Sequence, residues 1–148
     1  MNLEEQINND IKVAMLARET LKLEAVRAVK AALLVEKKSG KSTEFTEEDG
    51  IKLLQKLVKQ RKESAEIYSQ QNRPELVEQE LAEAAVISSY LPAQMSEVEV
   101  EASLKEIIAA TSATSAKEMG KVMGIASKQL AGKADSKLIA EIVKRLLA

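Results

Sequence analysis

The chain has no cysteine, no histidine and no tryptophan, and only 2% of its 148 residues are aromatic. Without cysteine there are no disulfides and no thiolate chemistry. Without histidine it lacks the commonest metal ligand and the side chain best suited to proton transfer near pH 7. The usual zinc sites are excluded for the same reason. No apolar run approaches the ~20 residues of a membrane-spanning helix; Ala31 to Val35 is typical. Nor does Met1-Asn2-Leu3-Glu4-Glu5 show the basic-then-apolar order of a signal peptide. These absences lead to the expectation of a cytosolic protein. Neither charge sign dominates: 22 basic residues face 23 acidic ones, for a net charge of −1. No overall field draws the chain to nucleic acid or membrane.

What remains is 45% apolar and 30% charged, the balance of a globular chain with an aliphatic core. The hydrophobic period is helical almost throughout. Leu3, Ile7, Ile11, Ala14 and Met15 mark a first helix. Thr20 is placed to cap a second, with Val26, Val29 and Leu33 on its stripe. Ser39 to Phe45 reads as a loop, with Gly40 as a helix stop. Thr46 and Asp49 open a third helix with a variant capping box, and Ile51, Leu54, Val58, Ala65 and Tyr68 form its stripe. Pro74 suits the first turn of a fourth, built on Val77, Leu81, Ala84 and Leu91, and Pro92 ends it. Ser96 with Glu99 and Ser115 with Glu118 are capping boxes for a fifth and a sixth helix. Asp135 caps a seventh. The expected class is therefore all-α: a four-helix N-terminal domain over residues 1–92 and a smaller three-helix domain over 93–148, joined at Pro92 to Met95.

No catalytic constellation emerges. The phosphate-loop pattern G-x-x-x-x-G-K-[ST] fails at Gly40-Lys41-Ser42, where its leading glycine position is Val35. It fails again at Gly132-Lys133, where Ala134 follows. Glu78, Glu80 and Glu83 read as a solvated helix face. No cofactor or metal is expected.

Three features stand above this background. In Lys59-Gln60-Arg61-Lys62, Arg61 lies on the apolar stripe, either paired with a glutamate of the fourth helix or facing a partner. Gly120 and Gly124 share a helix face, and each costs about 1 kcal/mol against alanine. Something should approach that face closely, either a crossing helix or a bound backbone such as RNA. Gly132-Lys133-Ala134-Asp135 reads as a helix stop followed by a cap. From Thr111 onward, Lys117, Lys121, Lys128, Lys133, Lys137, Lys144 and Arg145 outnumber Glu118, Asp135 and Glu141, so this stretch carries +4 and the rest −5. RNA would bind there, through backbone and shape, because aromatics for stacking on bases are missing.

These segments resemble, from end to end, the YqeY family. Val58-Lys59-Gln60-Arg61-Lys62-Glu63-Ser64 looks like its central helix motif and Tyr90-Leu91-Pro92-Ala93-Gln94-Met95-Ser96 like its hinge. Met119-Gly120-Lys121-Val122-Met123-Gly124 and Gly132-Lys133-Ala134-Asp135 look like its C-terminal signature. Asn72-Arg73-Pro74 stands where a glycine-bearing loop would be expected. The family is in turn similar to the tail of the GatB subunit of the glutamine-dependent amidotransferase acting on misacylated Glu-tRNA or Asp-tRNA. The resemblance implies an all-helical two-domain fold and a link to tRNA-dependent amidation, a carbon–nitrogen ligation with glutamine as amide donor. It implies tRNA, an amidotransferase or an aminoacyl-tRNA synthetase as partner. A protein–protein adaptor without an RNA role is the alternative.

Overall fold

The computed structural model describes residues 2–38 and 45–148. Among them are seven α-helices and no strand: α1 (Leu3–Ala17), α2 (Thr20–Lys38), α3 (Glu47–Gln70), α4 (Pro74–Ser88), α5 (Glu97–Thr111), α6 (Met119–Gln129) and α7 (Ser136–Leu147). The chain divides into two compact units, Met1–Leu91 and Pro92–Ala148. The stop expected at Gly40 lies outside the described residues.

Local chemistry starts most of these helices. Asn2, Thr46 and Ser96 each accept a hydrogen bond from the backbone N–H three residues on. Glu5, Asp49 and Glu99 return the contact to the cap backbone, closing reciprocal boxes that satisfy otherwise orphaned donors. Asp135 accepts from the Lys137 N–H at 3.2 Å. Pro74 occupies the first turn of α4. Thr20 does not cap α2; it lies inside the helix, and the Glu19 carbonyl accepts from the Leu23 N–H instead. The Ser115–Glu118 box is also absent. Ala116–Glu118 forms a 3-10 turn, and the Glu118 carboxylate accepts from the Thr114 N–H at 2.5 Å.

In the first unit, α2, α3 and α4 pack together and α1 lies on α2. Its core joins Ile7, Ala25, Val26, Val29, Leu33, Leu53, Leu54 and Ile87. Leu81, expected inside, is 48% exposed, whereas Glu83 is only 5% exposed. Ala84, on the same expected stripe, is buried at 3%, so the departure is at Leu81, while Glu80 and Glu83 turn toward Arg61 of α3. Gly50 is the tight spot of this unit: a Cβ there would stand 3.2 Å from Leu3 Cδ2.

In the second unit, α6 packs on both α5 and α7, and α5 also meets α7. Val100, Leu104, Ile107, Val122, Ala126, Leu130, Ile139, Ile142 and Val143 fill its aliphatic core. Gly132 sits in the turn after α6 with φ 74°, a left-handed conformation glycine adopts without strain.

A basic helix face as candidate RNA interface

The signature segments separate into structural and exposed parts. In the first unit, Arg61 Nη1 lies 3.3 Å from Glu83 Oε2 and 3.5 Å from Glu80 Oε2. The Glu83 side chain is 7% exposed, Glu80 15% and Arg61 30%. Arg61 thus pins α3 to α4. A buried carboxylate needs such a partner, since desolvation alone would cost several kcal/mol. Lys59 and Gln60, its neighbours, are exposed. Of the two readings of Arg61 it is the pairing with the fourth helix that is observed, so Glu80 and Glu83 do not lie on the solvated face expected of them; their i,i+3 spacing on α4 is the available signal.

The segment around Pro92 is held at both ends, each within its own unit. In the first, the Tyr90 hydroxyl donates to Asp10 Oδ2 on α1. Burial, and then this carboxylate, push the Tyr90 phenol well above its ordinary value. In the second, Gln94 Nε2 donates to the carbonyls of Pro92 (2.7 Å) and Gly132 (2.6 Å). The Met95 N–H donates to the Lys133 carbonyl at 2.9 Å. Gly132-Lys133-Ala134-Asp135 and Ala93-Gln94-Met95 are therefore one paired element. Gly132 and Ala134 are buried, the exposed Asp135 caps α7, and Lys133 is exposed on a structural turn.

The exposed part lies on α6. Val122, Ala126 and Leu130 face the core. On the opposite side, Gly120, Lys121, Gly124 and Lys128 are exposed at close to whole-turn spacing, and exposed Lys117 precedes them on the 3-10 turn. Helix α6 has no acidic residue. None of Lys117, Lys121, Lys128, Lys133 and Lys137 forms an ion pair among the described residues. The remaining basic residue with a partner is Arg145, 3.4 Å from Glu101 on α5. The expected close approach of a neighbouring helix to the glycine pair does not occur. A Cβ at Gly120 or Gly124 would meet nothing within 4 Å. The helix packs through its opposite, bulkier face, so the glycine cost is not returned by packing among the described residues.

No group of three or more acidic side chains is arranged to hold a metal ion among the described residues, and no described helix is long and apolar enough to cross a membrane.

The chain is similar to three curated relatives, all named "Altered inheritance of mitochondria protein 41, mitochondrial". That of Meyerozyma guilliermondii is 37% identical over 86 residues, covering 57% of this chain and 44% of the relative. That of Vanderwaltozyma polyspora is 33% identical over 85 residues, covering 57% and 46%. That of Lachancea thermotolerans is 30% identical over 105 residues, covering 69% and 56%. The chain spans about half the length of the curated relatives it matches. Their names overturn the expectation of a cytosolic location. That expectation rested on missing cysteines and missing long apolar runs, features that do not separate one aqueous compartment from another. The family pattern of Yqey-like proteins matches residues 4–147, nearly the whole length, and the chain belongs to the YqeY family.

Proposed function

We propose that this protein is a non-catalytic tRNA-binding accessory, acting beside an amidotransferase or an aminoacyl-tRNA synthetase. The observation that carries the reading is the unpaired lysine face of α6, turned away from the core. Free ammonium groups in register along a helix release counterions when they meet phosphates, and this term dominates nucleic-acid affinity. Lys133 and Lys137 extend the basic character into the next turn and the start of α7. In this reading residues 1–92 and 93–148 are two domains, and the second is the RNA-holding one, as the resemblance to the GatB tail implies. Lys59 and Gln60 serve as a secondary contact, while Arg61 is committed to α4. Carbon–nitrogen ligation with glutamine as donor belongs to the partner enzyme.

Binding of the purified protein to total tRNA, titrated with salt, tests this. We expect affinity that falls as salt rises and that Lys121→Glu with Lys133→Glu weakens at least tenfold, without change in helical content. Undiminished binding by that double variant would remove the proposal. The near-neutral net charge favours a second reading, a protein–protein adaptor. A protein partner that stays bound after nuclease treatment would support it.

A further inference from the structure

We infer that the α6 face takes the sugar–phosphate backbone of double-helical RNA, with Lys117, Lys121 and Lys128 on phosphates and Gly120 and Gly124 admitting the strand between them. This rests on the RNA-binding reading above and specifies its ligand. The charged face is the starting point. Lys121 and Lys128 stand about 10 Å apart along the helix axis at 1.5 Å per residue, and Lys117 stands on the 3-10 turn just before the helix. Their stripe holds no carboxylate to compete with phosphate. The second unit contains no aromatic residue, because Phe45, Tyr68 and Tyr90 all lie in the first. It therefore offers no platform on which splayed bases of a single strand could stack. Readout by phosphate, ribose and shape is what a duplex RNA presents in its wide, shallow minor groove.

The glycines then acquire a role. Between the lysines the helix surface is bare backbone, open to solvent at both positions. A rigid strand reaches the helix only where side chains are missing, and long lysines on either side fold around it. Alanine at these positions would improve the free helix and obstruct the ligand.

Anisotropy titrations of the full chain against an RNA hairpin stem, and against a single-stranded RNA of equal length, test the inference. Gly120→Ala with Gly124→Ala should raise the melting temperature, weaken stem binding about tenfold and leave the salt slope unchanged. Lys121→Gln with Lys128→Gln should lower the slope by about one per lysine. The stem should bind at least tenfold tighter than the single strand. If the glycine variant binds the stem as the parent does, or the two RNAs bind equally, the inference falls while the RNA-binding reading stands. If the parent binds neither RNA at low salt, both fall.

Discussion

Replacing Arg61 by alanine isolates the cost of stranding two carboxylates between helices. At 3.3 Å and an effective dielectric of about 20, the gross attraction between Arg61 and Glu83 is about 5 kcal/mol. Most of it offsets the desolvation of Glu83, which has 7% of its side chain exposed. Removing a partner from a buried pair costs about 3–5 kcal/mol. Arg61 is 30% exposed, so water partly re-solvates the site, and we expect a loss of about 2–3 kcal/mol. Both tyrosines lie in the first unit, so tyrosine fluorescence during urea unfolding follows that unit alone. Adding Glu83→Gln to Arg61→Ala should recover at least half of the loss, because the neutral amide carries no unpaired charge. A loss below about 1 kcal/mol, or no recovery in the double variant, would refute the reasoning and leave Arg61 as a contact for a partner.

Two further outcomes follow from the half-buried Tyr90 phenol and the cap of α5. Tyr90→Phe should destabilise the first unit by about 1 kcal/mol, since the Asp10 carboxylate loses its donor. Because the folded state raises the Tyr90 ionisation, that stabilisation is complete below the ordinary value of 10.0 and is lost as pH rises above it. A urea midpoint that falls above pH 10 in the parent and stays flatter in the variant is the expected result. Ser96→Ala should cost the second unit about 1 kcal/mol by opening its capping box. Hydrogen bonds from the Ser96 backbone and side chain lower the Glu99 ionisation below its ordinary 4.5, so their contribution is present above that value and lost as pH falls through the depressed one. Protection of the amides at the start of α5, taken relative to their intrinsic exchange rates, should therefore fall on acidification in the parent and change less in the variant.

Much of this fold is legible in the chain itself. Helix starts are local events: Thr46 with Asp49, Ser96 with Glu99 and Asp135 each satisfy orphaned N–H groups within one turn, so neighbours in sequence suffice. The buried residues of α5, Val100, Leu104 and Ile107, likewise recur at the helical period in the sequence itself. The lysines from Thr111 onward are visible in the sequence as a charge excess. Other features depend on partners distant in sequence. Leu81 and Glu83 exchange their expected environments only because Arg61, on another helix, makes a buried carboxylate tolerable. The pairing of Met95 with the Lys133 carbonyl turns two separate motifs into one element.

Sequence alone determined that the protein is helical, where most of its helices start and which stretch is basic, because hydrophobic period, capping and charge act over a few residues. Tertiary structure decided which of the unusual residues are free. Arg61 is used up in joining α3 to α4 inside the first unit, and Gly132 and Asp135 in a turn and a helix cap inside the second, whereas Lys121, Gly124 and Lys128 are left facing water. Sequence could not separate these groups, because a side chain's availability depends on what packs against it, and packing is set by contacts between residues far apart in the chain.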